Sequence, residues 1–283
     1  MASIFITGSA DGLGLMTGRL LTQQGHSVVL HARNEERAAA VRAALPEAGA
    51  VVTGDLSGLA EMRQVADQAN AHGRFDAVVH NVGLGHRAPS RPGNEGGVSR
   101  LRAAAHRAGF GYREQPRAGT EDGLSRMWAV NVLAPYVLTA FMERPGRLVY
   151  LTSGLHRGGD ASLGDIQWEK RPWNASRAYS DTKLHDLLLA FGVGRRWPDV
   201  PSNAVNPGWV PTRMGGPGAP DNLEQGSLTQ AWLAVSDDPA ALSTGRCFYH
   251  RQPADVHPAA RDEGLQDRLL EYCRDVSGVE LKL

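Results

Sequence analysis

The chain opens on a short β-forming run, Ser3 to Thr7, that breaks at Gly8, Gly12 and Gly14 and resumes with Leu13, Met16 and Leu20 at helical spacing. Strand, tight turn and helix in that order commit the chain to an α/β architecture, because a parallel neighbouring strand can be reached only through such a crossover. The pattern repeats. His26 to Ala32 reads as a second strand, Asn34 to Leu45 as a helix stopped by Pro46, Ala50 to Thr53 as a third strand and Phe75 to His80 as a fourth. Arg147 to Leu151, Asn203 to Val205 and Cys247 to Tyr249 supply later strands. The strands are almost continuously apolar, as in a sheet covered on both faces. The expected fold is therefore a doubly wound parallel α/β sheet in a single domain over residues 1–283, with a substrate-loop and C-terminal region at about 207–283.

One stretch departs from the alternation. Residues 85–119 are rich in Gly, Pro and Arg, with a single short helical pattern from Val98 to Ala108. Ordered connections rarely exceed about 15 residues, so this insertion is expected to serve either as a lid or as a mobile surface loop. Thirty basic and thirty acidic side chains cancel. No long-range field then draws nucleic acid or an anionic membrane, and a small-molecule partner is expected. Cys247 and Cys273 sit in no metal-ligand spacing and are too few for a disulfide framework, so buried thiols and no metal are expected. The first residues lack a basic region followed by an apolar core, and no apolar run approaches 18 residues; the expected location is cytoplasmic.

The glycine turn suggests chemistry. Gly8, Gly12 and Gly14 between a strand and a helix let the backbone approach a pyrophosphate, whose charge suits the N–H groups at a helix start. An ordinary strand-to-helix turn would look the same. At the end of the second strand stands Arg33, where an acidic side chain would grip the ribose hydroxyls of NAD. A guanidinium there pairs with a 2′-phosphate, which favours NADP(H) over NAD(H) unless Arg33 is simply solvated. Asp55, followed by Leu56, either accepts a hydrogen bond from an adenine amine or, with Ser57, caps the next helix. Tyr179 and Lys183 lie one helical turn apart on the flank of an apolar stripe, Leu184, Leu187, Leu188 and Phe191. An ammonium beside a phenol favours the phenolate and so eases proton exchange. Asn131 falls on the apolar face of its helix, and Pro135, having no N–H, leaves the Asn131 carbonyl able to hold a water. Satisfaction by neighbouring backbone at a proline kink is the competing reading.

Taken together, Thr7 to Gly14, Asn81-Val82-Gly83, Asn131, Ser153, Tyr179-x-x-x-Lys183 and the run from Asn206 to Thr212 resemble the short-chain dehydrogenase/reductase family, a Rossmann fold, in the expected order. The segment from Asp165 to Trp173 and that from Thr152 to His156 look like its retinol-dehydrogenase-like branch. The resemblance implies hydride transfer between a secondary alcohol and a ketone or aldehyde on a hydrophobic small molecule. It assigns Tyr179 as general acid/base, Lys183 to the phenol and the nicotinamide ribose, Ser153 to the substrate oxygen and Asn131 to a relay water. Thr7, Gly8, Ser9, Asp11, Gly12, Leu13, Gly14, Asn81, Gly83, Pro207, Gly208, Val210 and Thr212 would line the cofactor. Trp168, Trp173 and Trp209 would face substrate or else pack loop against core, and His156 would touch substrate or else be a satisfied structural histidine. Two features depart from the family pattern: Val82, where alanine is common and a valine would crowd the sheet or the cofactor, and the 85–119 insertion. The helices of Asn131 and Tyr179 form the family's usual dimer surface, so a homodimer or homotetramer is the expected assembly, put in doubt by the insertion. A noncatalytic NADP(H)-binding regulatory protein on the same fold is the alternative.

Overall fold

The computed structural model describes residues 1–89, 112–114 and 116–282. Strands β1 (Ser3–Ile6), β2 (Ser27–Ala32), β3 (Ala50–Thr53) and β4 (Ala77–His80) alternate with helices α1 (Gly12–Gln23), α2 (Glu35–Ala44) and α3 (Leu59–Asn70). After the insertion come α4 (Arg126–Trp128), a π-helical turn (Ala129–Leu133) and α5 (Ala134–Phe141). Then follow β7 (Leu148–Leu151), α6 (Ala175–Arg196), β8 (Ser202–Val205), α7 (Leu223–Val235), β9 (Cys247–Tyr249), β10 (Gln252–Pro253) and α8 (Glu263–Ser277). The expected strands agree to within two residues; α7, β10 and α8 are additions.

The sheet runs β3-β2-β1-β4-β7-β8-β9-β10, parallel except where β10 turns back along β9. After β3 the chain crosses back over β1 to lay down β4, so the connections leaving β1 and β4 diverge to opposite sides. Such a switch point opens a crevice outside the carboxyl ends of the strands. Alternate side chains of each strand enter different cores, which is why the strand sequences are apolar throughout. Phe5, Val29, Val78, Leu148 and Tyr150 pack on α3, α5, α6 and α8, while Ile4, Ile6, Val28, Leu30, Val79 and Val149 meet α1, α2 and α7. The doubly wound expectation is met.

Within the insertion, Arg87–Pro89 (β5) pairs antiparallel with Tyr112–Glu114 (β6), a ribbon the composition concealed. Residues 90–111, which include the expected helix at 98–108, lie outside the described residues, as does 115.

Helix α6 is buried without interruption from Ala178 to Gly194. The chain itself supplies the cover. A Cβ on Gly192 would come within 3.1 Å of Leu270 and 3.2 Å of Gln266, and both Arg195 and Arg196 pair with Asp267 of α8. Cys247 and Cys273 are buried free thiols, as expected, and burial pushes the Cys247 thiol up to about 12. Among the described residues no helix is long and apolar enough to cross a membrane.

Candidate active site

The turn after β1 is held by side chains beneath it. Asn81 donates to the carbonyls of Thr7 and Gly8, each at 3.0 Å, and the Val82 N–H reaches Thr7 Oγ1 at 3.1 Å. Ser9 is buried: its hydroxyl donates to Ile6 O at 2.8 Å and accepts from His31 N at 2.8 Å. Asn81 thus braces the glycine turn from below. Gly8 has φ +60°, and a Cβ there would sit 2.7 Å from Val82 Cα, so the close approach of the two backbones requires this glycine. Gly14 is needed for space: its Cβ would lie 2.5 Å from Asn81 Nδ2 and 2.9 Å from Gly8 O.

Helix α1 starts without help from its N-cap. The Asp11 side chain bonds no N–H of the first turn. It turns outward to Arg37, 2.6 Å away, and to Arg213 at 3.3 Å. The helix start therefore keeps its positive end for an anion. Arg33 is exposed at the β2–α2 corner and makes no hydrogen bond or ion pair among the described residues. Asp55 is engaged on both oxygens, accepting from Ser57 N at 3.0 Å and from Arg126 at 3.2 Å. Neither Asp55 nor Ser57 caps α3. Asp122, 63 residues further on, accepts the Leu59 N–H at 2.9 Å, and Leu56 is buried in the core.

Sequence reasoning passed over His31. Its Nδ1 accepts the Gly8 N–H at 3.0 Å while Nε2 bonds Gly54 O at 2.9 Å, which makes Nε2 the protonated nitrogen. Burial pushes its pKa down to about 4, against the opposing pull of the Gly54 carbonyl and Asp55, so the ring stays a neutral acceptor beneath the turn. A lone histidine ending an apolar strand was the available signal.

At the carboxyl end of β7 and the amino-terminal half of α6 the other candidates meet. Lys183 is buried, and its ammonium donates to Leu151 O at 2.8 Å and to Asp186 Oδ2 at 2.7 Å. In return Thr152 Oγ1 donates to Lys183 O at 2.7 Å, so β7 and α6 are stapled at the residues flanking Ser153 and Tyr179. Lys183 Nζ lies 5.6 Å from the Tyr179 ring centroid. Burial alone would lower the Lys183 pKa, but the Asp186 carboxylate, and after it Tyr179, hold it above the usual lysine value.

Asn131 sits within the π-helical turn, where the Ala134 N–H reaches back five residues to Ala129 O. A local π turn, in addition to Pro135, thus opens the helix at a functional position. The Asn131 amide accepts from Leu84 N at 2.7 Å and donates to Leu84 O at 3.1 Å and Thr182 Oγ1 at 3.0 Å. Its partners are thus Leu84 of the connection after β4 and Thr182 of α6. A Cβ on Gly83 would be 3.7 Å from both Asn131 Oδ1 and Lys183 Nζ, so Gly83 lies between the two groups.

Ser153 and Tyr179 line one cavity of about 680 Å³, together with Leu13, Pro207, Gly208, Val210 and Thr212. It runs from Leu13, in the first turn of α1, to the phenol, and the glycines of the turn do not line it. Of the four residues expected at substrate, Trp209 alone lines it, 52% exposed, with Nε1 bonded to Gly215 O at 2.8 Å. His156 is buried with Nδ1 2.5 Å from Ser153 O. Trp168 donates to Asp181 at 3.1 Å and packs edge-on against Trp173. His156, Trp168 and Trp173 do not line the cavity. His86, unforeseen, does, with its ring 5.4 Å from that of Tyr179. Among the described residues no three His, Cys, Asp or Glu side chains gather as metal ligands.

A family model described as short chain dehydrogenase matches residues 2–101. An uncharacterized oxidoreductase of Emericella nidulans is 40% identical over 282 residues, covering 99% of this chain and 98% of its own length. The short-chain dehydrogenase chyC of Penicillium rubens is 36% identical over 284 residues, covering 99% of each. An uncharacterized protein from Mycobacterium paratuberculosis shares the fold, with a TM-score of 0.77 at 23% identity over 100% of this chain and 96% of that one.

Proposed function

The chain belongs to the short-chain dehydrogenase/reductase family and is an NAD(P)-dependent oxidoreductase, and from that premise we propose that it interconverts a secondary alcohol and a ketone or aldehyde on a hydrophobic small molecule, using NADP(H). The observation that carries this reading is the shared cavity in which Tyr179 and Ser153 meet Leu13, in the first turn of α1, and Pro207, Gly208, Val210 and Thr212. The residues present fit the cofactor. The uncapped start of α1 would take its pyrophosphate, Thr212 and Pro207 its nicotinamide end, and Arg33 a 2′-phosphate, with Arg37 and Arg213 close by on Asp11.

When bound, the nicotinamide ring supplies or takes up the hydride. The Tyr179 hydroxyl donates its proton to the carbonyl oxygen in reduction, and in oxidation its phenolate takes one from the alcohol. Ser153 donates a hydrogen bond to that oxygen, steadying the charge that develops on it. Lys183, held at Leu151 O and Asp186, places a positive charge behind the phenol. Asn131 is fixed by Leu84 and Thr182, and its carbonyl, which Pro135 cannot bond, would hold the relay water. Trp209 and the exposed Leu155 and Met214 at the cavity favour an apolar substrate. The burial of α6 by the chain's own α8 favours a monomer over the homodimer or homotetramer of the family's usual surface.

The test is consumption of NADPH and NADH against aliphatic, aromatic and polycyclic ketones, with Tyr179→Phe as control. NADPH-dependent turnover that falls at least ~100-fold in the variant supports the proposal. Tight NADPH binding with no turnover across the panel would favour the noncatalytic regulatory reading.

A further inference from the structure

Behind the Tyr179–Lys183 pair lies a carboxylate with no assigned role. Asp186 is on α6, one turn beyond Lys183, with its side chain 3% exposed and that of Lys183 5% exposed. A buried carboxylate is costly unless paired, and this one is spent wholly on the ammonium next to the phenol. An ammonium has three N–H donors. Asp186 Oδ2 and Leu151 O take two of them, at 2.7 and 2.8 Å. With two fixed, tetrahedral geometry fixes the third, and the space beside Gly83, whose Cβ would stand 3.7 Å from Nζ, lies within its reach.

We propose that Asp186 is a positioning residue for the reaction: its carboxylate orients the Lys183 ammonium and keeps it charged, so that one N–H remains for the cofactor and the charge remains for Tyr179. This rests on the reading of Tyr179 and Lys183 given above. The groups facing the pair are few. Tyr179 lies on the same helix, Tyr150 on β7 is raised first by burial and further by Asp186, and His80 on β4 sits one step beyond, joined to Tyr150 through Thr139 of α5 at 2.9 and 3.0 Å. Burial pushes the Asp186 carboxyl up to about 6, with Lys183 pulling it back down, so the ion pair forms above that pH.

The chain has only three lysines, Lys170, Lys183 and Lys282, which makes a lysine-selective carbon NMR titration readable. Lys183→Met assigns the resonance. In wild type the Lys183 signal is expected to titrate above the ordinary lysine range and to show a small inflection near pH 6 as Asp186 protonates. In Asp186→Asn it should titrate at least about one pH unit lower, because a buried ammonium loses its counter-charge. Removing a negative charge also makes the Tyr179–Lys183 pair release its first proton at lower pH, so the pH limb of kcat should move to the acid side with substrate KM little changed. An unmoved Lys183 titration, or no inflection in wild type, overturns the proposal. A moved titration with an unmoved kcat limb reduces Asp186 to a structural ion pair and overturns it too. The NMR arm needs neither cofactor nor substrate, so an absence of turnover would count against the proposed function alone.

Discussion

Gly14→Ala separates the two reasons a glycine can be required in the phosphate turn. Gly14 has no unusual φ, but an added Cβ would lie 2.5 Å from Asn81 Nδ2, 2.8 Å from Ser9 Cα and 2.9 Å from Gly8 O. Two of these atoms are backbone and cannot swing aside. Overpacking of this kind costs about 1–3 kcal/mol, and backbone neighbours argue for the upper end. For a chain of this size that is a fall in Tm of roughly 3–5 °C. The only neighbour able to yield is Asn81, whose movement would loosen the Thr7 and Gly8 carbonyls it holds at 3.0 Å. NADPH affinity should then drop by more than ~10-fold. Gly12→Ala is the comparison. Its Cβ would meet nothing closer than Thr212 at 3.7 Å, leaving only the strain of φ +52°, about 1–2 kcal/mol. Thermal unfolding by circular dichroism and NADPH titration by tryptophan fluorescence read both variants. If Gly12→Ala is the more destabilised of the two, or Gly14→Ala melts and binds as wild type does, the close-approach argument is wrong.

Arg33→Ala should raise the Kd for NADPH by ~10–100-fold, the loss of a charge-assisted hydrogen bond, and leave that for NADH within ~3-fold; calorimetric titration with both cofactors checks it. Acid should destabilise the fold through three buried histidines. Burial lowers His31 and His185 to about 4 and His80 to about 3, so below 6.5 the unfolded chain binds protons that the folded chain refuses. Each removes about 1.4 kcal/mol per pH unit from 6.5 down to its folded value, while Asp186, raised by burial to about 6, returns a similar amount between about 6 and 3.8. His185 has no hydrogen bond at either ring nitrogen, so His185→Leu should lessen the slope of urea-measured stability against pH by that share; an unchanged slope would remove His185 from the ledger. The mass in solution by light scattering should be that of one 30.4 kDa chain, and a dimer would show that α8 does not close the surface of α6.

The fold was legible because its signals are local. Apolar strands, the glycine turn and the Pro46 stop each report on residues within a few positions. What escaped depends on partners far along the chain. Asp122 caps α3 across 63 positions, and the π turn at Asn131 answers to Leu84, 47 positions away. Asp186 is only three positions from Lys183, but the ammonium that joins them is fixed by Leu151 O, 32 positions from Lys183. The family resemblance puts the segment of Trp168 and Trp173 around the substrate, and His156 follows Ser153 by three positions. Yet Arg171 stacks 3.7 Å from the Trp168 ring and pairs with Asp160, Asp165 and Asp181, anchoring that segment away from the cavity. His86 could not be read at all, since nothing local in its Gly-rich surroundings indicates that it meets Tyr179.

The most direct test of the account is the fate of deuterium carried at C4 of NADPH, with each face labelled in turn, during reduction of the best ketone of the panel. The account predicts that label from one face appears on the carbinol carbon, with none exchanged into water, and that Tyr179→Phe slows the transfer without weakening NADPH binding. Label that stays in the cofactor while NADPH binds tightly would contradict it.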